Sequence, residues 1–566
     1  MAEVSELSGV FQTVCRAVKS RVALITITTC LLSSCLSPEP ATPVPVLPTS
    51  NIPSPSTLEP TASAEPPRLW IDPAIPDQVR QIALASGLSL TNSATSASTR
   101  LMITATDYLT VESTRLVWIY ALVAPFPTVV DGVGSEDVRL LWNGDPASSL
   151  AGGELWMDES TLAVFSSLWG SPAAGTVMTA PAGNLSETLW TASTPVYALI
   201  PFQDLEPRWK VLTVGGQSPI RKEFDLSAYP LAAAFTCSGG NCSALNLPAY
   251  NRDPSKLTVL VMTGVTALVR RTAWTMEQKG VTYPGGDIRD WLRSADITHI
   301  SNEIPFAPDC PFPDPYQQEI RFCSDPRYIE LLEDVGADVI EMTGNHFQDW
   351  GSAATLFTLD LYRQRGWPYF GGGSDLADSQ KSVRIEHNGN RIAFIGCNAS
   401  GPDYAWATDS QPGAAPCGDF SWLVNEISRL RSEGFLPIVT FQYYEYYSPE
   451  PRPNQSHDFK IVADAGAAIV SGSQAHIPQA LEFHNGSLIL YGLGNLFFDQ
   501  MVYPIGNVLS TSTRKELIAR HVFYDNRHVS TELLTAMLED YARPRPMTDQ
   551  ERVELLTDLF KVSGWK

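Results

Sequence analysis

From Arg68 onward, short apolar runs closed by Gly, Pro or polar clusters recur along the chain. The segment before Arg68 breaks that pattern. Arg16, Lys19 and Arg21 precede an uncharged apolar run, Val22 to Leu32. A membrane-spanning helix needs about 20 such residues, so this run reads as the hydrophobic part of an export signal. Ser37 to Pro67 is rich in Pro, Ser, Thr and Ala. It has too little apolar material for a core and reads as an extended tether. The first ordered set comprises Leu69–Ile71, Leu101–Ile103, Val117–Val123 and Val196–Ile200 as buried strands, with helical spacing over 76–86. Strands alternating with helical stretches predict α/β architecture. The second set is Leu257–Met262, Ala295–Glu303, Gly336–His346, Arg391–Gly396, Phe435–Gln442, Gly466–His476 and Leu488–Asp499. From Arg514 the chain reads as polar helical stretches, and Thr548 to Lys561 carries a capping pattern ahead of apolar residues at helical spacing. The expected partition is a signal over 1–35, a tether over 36–67, an α/β domain over 68–235, a linker over 236–255, a second domain over 256–505 and a helical extension over 506–566 packed on it.

Composition narrows the partners. The 566 residues carry a formal net charge of -22, with a pI near 4.8. Such a surface repels phosphate backbones, which excludes nucleic acid as a natural partner, and it argues against a basic membrane-surface patch. Cys15, Cys30 and Cys35 belong to the leader. Cys237, Cys242, Cys310, Cys323, Cys397 and Cys417 remain, as three sequence-near pairs. In an oxidising compartment these read as local disulfides, although spacing alone does not fix the connectivity. No C-x-x-C or Cys/His cluster suggests zinc.

The chemistry concentrates at the strand ends of the second set. Asn302-Glu303, Asn345-His346, Gln442 with Glu445 beyond it, Gln474 with His476, and Asn495 with Asp499 each follow an apolar strand. A metal-centred hydrolase needs this arrangement, since each strand can project one ligand into a shared crevice. His299 lies inside a strand and reads as a core histidine. His387, His484, His521 and His528 read as surface or turn residues, and His457 as a residue that faces either the cleft or solvent. Tyr443, Tyr444, Tyr446 and Tyr447 form either a ligand-stacking wall or the packing of a sheet edge. Asn495 and Asp499 serve the site or cap a turn.

Three resemblances add to this reading. Leu32-Ser33-Ser34-Cys35 resembles a bacterial lipobox, which implies lipid attachment at Cys35 and an extracytoplasmic, membrane-anchored protein. Tyr120 to Phe126, the turn Trp142-Asn143-Gly144, Ile200-Pro201-Phe202 and Tyr229-Pro230-Leu231 resemble type II periplasmic solute-binding proteins. Gly264 with Arg270, Asn302-Glu303, Gly344-Asn345-His346 with Asp349 and Gly351, Gly371-Gly372-Gly373, Glu445, Gly472 to His476 and Leu493 to Asp499 resemble the CapA family. That family is the poly-γ-glutamate capsule-synthesis group of the calcineurin-like metallophosphoesterases. It implies a metallophosphatase-like four-layer β-sandwich flanked by helices, here preceded by the smaller α/β domain. It also implies metal ligation by Glu303, Asn345, His476, Gln474 and Gln442, catalysis by His346 and Asn345, and binding by Asn302, Arg270, Glu445 and Asn495.

Three positions depart from the family pattern. Val265 stands where the family has an aspartate, and Gln442 and Gln474 stand where it has histidines. Amide oxygens are weak neutral donors, so the expected cofactor is a weakly held divalent cation (Mn, Mg or Zn) or none. Two functions follow. One is a metal-dependent hydrolase acting on a cell-surface anionic polymer such as poly-γ-glutamate. The other is a pseudoenzyme that binds polymer or a small solute and assists assembly.

Overall fold

The computed structural model describes residues 66–104, 115–505 and 508–565. The export signal with Cys35, and the tether as far as Glu65, lie outside these residues.

The N-terminal region is built on the strand Arg115–Pro125, buried along nearly its whole length. It pairs antiparallel with Ala232–Gly239 on one side and Val196–Pro201 on the other. Arg68–Ile71 and Thr99–Thr104 extend the sheet one way, and Glu154–Met157 and Val177–Thr179 the other. Helices Asp77–Leu84, Asp137–Trp142, Glu159–Trp169 and Ala182–Trp190 flank it. The Asp158 carboxylate accepts from the Thr161 N–H at 2.6 Å and caps the third of these. That helix buries Phe165 edge-on against Tyr120. The expected α/β character is present.

The second region is a sandwich of two sheets. In the first, Tyr369–Phe370, Val339–Glu341, Ile297–Asn302 and Leu257–Met262 run parallel. In the second, Asn390–Asn398, Leu436–Gln442, Ile469–Ser473 and Ser487–Leu490 run parallel, with antiparallel strands at both edges. Leu260, Met262, Ile297 and Val339 meet Ile392, Phe394, Ile438, Ile469 and Leu488 between the sheets. Helices Arg270–Lys279, Ile329–Asp334 and Ser352–Gln364 cover the outer face of the first sheet, and Ser421–Ser432 and Pro453–Asp464 that of the second. These strands are apolar on both faces because both faces are covered. The expected four layers are therefore present.

Two boundaries differ from expectation. The described part of 506–566, residues 508–565, is not a helical extension. Lys515–Tyr524, Arg527–Glu539 and Arg543–Pro546 are antiparallel strands that complete the first sheet, and helix is confined to a single 3-10 turn at Ser512–Arg514 and to Asp549–Val562. Lys515–Tyr524 pairs directly with Leu257–Met262. Thr-Glu-Leu-Leu-Thr-Ala-Met-Leu-Glu is rich in good helix formers, and tertiary pairing overrides that preference. Residues 236–255 are not a free linker either. Asn251 bonds both the N–H and the C=O of Ile119, each at 2.8 Å, and so extends the N-terminal sheet.

Leu257, Val259, Val522 and Tyr524 share the N-terminal region's core, so the two regions pack as one unit over 66–566. Of the histidines expected at surface or turn positions, His521 lies fully inside and His528 is half-buried against it. Burial lowers both, His528 to about 4, so both are neutral at pH 7. His299 is a core histidine as expected, and its Nε2 lies 3.1 Å from Glu341 Oε2.

Candidate functional site

The carboxyl ends of the parallel strands from both sheets converge on one crevice, a cavity of about 280 Å³. Glu303 follows Ile297–Asn302, Asn345 and His346 follow Val339–Glu341, and Gln442 ends Leu436–Gln442. Gln474 and His476 follow Ile469–Ser473. Gly344 lets two tips close on each other, because a Cβ there would stand 2.8 Å from the Glu303 Cα. Gln474, His476 and Arg270 hold positive φ of 79°, 57° and 46°. Non-glycine residues rarely adopt this backbone, and strain of this kind clusters at functional sites.

At the floor, the Gln442 side-chain nitrogen faces three oxygens. It lies 3.1 Å from Glu303 Oε1 and 2.8 Å from Asn345 Oδ1, and it contacts Gln474 Oε1. The Ser473 hydroxyl donates to Gln442 Oε1 at 2.7 Å. The reversed amide would press an oxygen against the Glu303 carboxylate, which selects this orientation of Gln442 and, with it, the oxygen-inward orientation of Asn345 and Gln474. Glu303 is 2% exposed and Gln442 1%.

The opposite wall is ionic. His346 Nδ1 lies 2.7 Å from Asp349 Oδ2. Asp349 also accepts from the Phe322 N–H at 3.0 Å and from the Tyr404 hydroxyl at 3.2 Å. Burial alone would lower the His346 pKa. The Asp349 hydrogen bond and the Glu303 and Asp349 charges outweigh it and hold the pKa above the ordinary value. Arg270 makes a two-pronged pair with Asp499, 3.1 Å from Nε and 2.5 Å from Nη2, and its guanidinium lies over Phe322. The wall can thus donate a proton from His346 and orient a charged ligand past Arg270.

Residues 259–500 match the family described as bacterial capsule synthesis protein PGA_cap. This segment is a CapA-family domain. The chain is 25% identical over 328 residues to the capsule biosynthesis protein CapA of Bacillus anthracis, covering 56% of this chain and 77% of that protein. It is 28% identical over 229 residues to the PGA biosynthesis protein CapA of Bacillus subtilis, covering 40% of this chain and 59% of that one. Among solved structures, Haemophilus influenzae NAD nucleotidase aligns at 10% identity with a TM-score of 0.29, over 54% of this chain and 56% of its own.

The CapA domain brings Glu303, Asn345, His346, Gln442, Gln474 and His476 to one place, as the strand-tip reading expects. Arg270 and Glu445 line the crevice, Glu445 at its exposed rim. Asn302, expected as a binding residue, is instead a strut. Its Nδ2 donates to the Ile304 carbonyl and the Tyr362 hydroxyl, each at 2.8 Å, on the helix-covered face. It precedes Glu303 in an extended strand, so the two side chains leave on opposite faces. Asn495 sits behind the crevice and fixes His476, whose Nδ1 lies 2.8 Å from Asn495 Oδ1. Tyr447 stacks on that imidazole, whereas Tyr443 is buried. Sequence reasoning missed Phe322, Phe498 and Ile320 as wall residues. The Cys310–Cys323 disulfide closes the loop that carries Ile320 and Phe322 into the wall. The sequence signal was there: two cysteines bracketing that loop. Cys237–Cys242 and Cys397–Cys417 complete the sequence-near pairing. His457 faces solvent on its helix.

The superfamily resemblance implies a pair of cations. The donor set present in the CapA domain does not suit one. Glu303 is the single carboxylate on the floor, and there it accepts from the Gln442 amide N–H at 3.1 Å. Val265, at the position of the family's aspartate, is buried with Ala267, Val269, Ile304, Phe322 and Phe498. Among the described residues, no group of three or more His, Cys, Asp or Glu stands where it could hold a metal.

Proposed function

We propose that this protein is an exported, lipid-anchored CapA-family protein that takes part in synthesis of poly-γ-glutamate or another anionic cell-surface polymer. The observation that carries the reading is the match of residues 259–500 to the capsule-synthesis family, with Glu303, Asn345, His346 and His476 gathered at one strand-tip crevice. Three disulfides support an oxidising, extracytoplasmic setting. No helix among the described residues is long and apolar enough to cross a membrane. The lipid at Cys35 supplies the anchor in this reading. The test is a gene deletion, scored by surface polymer released on acid hydrolysis. Deletion should remove most of the polymer, and the wild-type chain should restore it. Unchanged polymer overturns the proposal. Cys35→Ala should shift the protein from the membrane fraction to the medium, and retention in the membrane refutes the lipid anchor.

A second reading is favoured by the amide floor: the crevice binds polymer and assists assembly without cleaving it. Under hydrolysis, His346→Ala abolishes the phenotype and turnover together. Under binding, polymer affinity falls with changes at Phe322 or Tyr447 while no turnover is measurable in the wild type. The N-terminal α/β region serves in either reading as the solute- or polymer-recognising partner of the crevice.

A further inference from the structure

We propose that the Gln442 amide occupies the place a cation would hold, so that the crevice is assembled and its carboxylate compensated without metal. Three oxygens from three strand tips, Glu303 Oε1, Asn345 Oδ1 and Gln474 Oε1, point at one side-chain nitrogen. Convergent oxygens from separate strands are what a hard cation recruits. Here the electropositive centre is an N–H2 group, itself covalently part of the fourth strand tip. The amide brings two protons to three acceptors, so the group is saturated and has no donor capacity left for a ligand.

Val265, where the family has an aspartate, adds no carboxylate: it packs with Ala267, Val269, Ile304, Phe322 and Phe498. The saturated amide and the missing carboxylate point the same way. Across the crevice from Glu303 stands His346, whose Nδ1 lies 2.7 Å from Asp349 Oδ2. The site keeps the geometry of a metal centre with its electrostatics supplied by side chains.

This inference deepens the binding reading of the crevice and does not depend on which polymer is bound. The experiment compares the full-length, detergent-solubilised wild type with Gln442→Glu, a near-isosteric change. Each protein is stripped with EDTA and then titrated with Mn²⁺, with metal content and melting temperature as readouts. The wild type should retain no stoichiometric metal, and its melting temperature should not move with Mn²⁺. Gln442→Glu places a second carboxylate against Glu303. It should bind Mn²⁺ stoichiometrically, melt lower in EDTA and recover on adding the ion. A wild type that binds Mn²⁺ stoichiometrically and loses it in Glu303→Gln overturns the proposal. So does a folded Gln442→Glu protein with no metal response. Should Gln442→Glu not fold under either condition, the exchange Glu303→Gln/Gln442→Glu decides. It restores one carboxylate and one amide, and should fold and ignore Mn²⁺, whereas an unfolded exchange variant overturns the proposal. Polymer loss on gene deletion is scored separately, so failure of either test leaves the other standing.

Discussion

The two walls of the crevice treat charge differently. On the His346 side, charges come in pairs: His346 with Asp349, and Arg270 with Asp499. On the Gln442 side, one carboxylate is surrounded by neutral amides. An ion pair carries its own compensation and persists whatever else occupies the site. A cluster of metal ligands does not, because its like charges need the ion to hold them together. Substituting neutral amides for histidines, and valine for aspartate, removes that dependence while keeping the strand tips in register. The contrast separates shape, which both walls retain, from metal chemistry, which only one wall would need.

The contrast can be broken most severely at Gln442. Gln442→Leu leaves Glu303 Oε1 buried without its amide donor and should cost about 3 kcal/mol or more of unfolding free energy in urea titrations. Adding Glu303→Leu should recover most of that loss, because an apolar pair leaves no stranded charge. Additive losses would mean that the amide and the carboxylate are not coupled.

On the other wall the effect is smaller and depends on pH. The folded pKa of His346 is raised, so its contribution to stability is full below the unfolded value near about 6.5 and is lost as pH rises through the folded pKa. Asp349→Asn should therefore cost about 1–2 kcal/mol at acidic pH, and progressively less as the wild-type histidine deprotonates. The same variant should lower the His346 pKa in NMR titrations, and an unchanged titration would exclude Asp349 as its cause. Tyr404→Phe, which removes one donor from Asp349, should cost only about 0.5–1 kcal/mol and move the His346 titration slightly upward.

Much of this was legible in the sequence because polar residues at the ends of apolar strands are hard to explain otherwise. Glu303, Asn345, His346 and His476 stand out for that reason, and the sequence-near cysteine pairing holds at all three bridges. Asn302 misled because adjacency to Glu303 says nothing about which face a side chain leaves. Residues 515–539 misled for two reasons. Glu516 and His521 are polar yet fully buried, which hides the strand's apolar character, and Leu, Ala, Met and Glu mimic a helix. Which proton points where on Gln442 depends on neighbours from three other strands and cannot be read along one chain.

Pairing of Leu257 with Tyr524 ties the first strand of the sandwich to one of its last. Synthesis proceeds from the amino end, so Leu257–Met262 waits with one edge bare while every crevice residue is made. The same delay holds back the N-terminal region, whose core borrows Val522, Tyr524 and Val529. A nonsense mutation just after Gln500 would spare every residue lining the crevice and still deprive both regions of a wall. The crevice residues come early, but the walls behind them close only once the strand Lys515–Tyr524 and Val529 have been made.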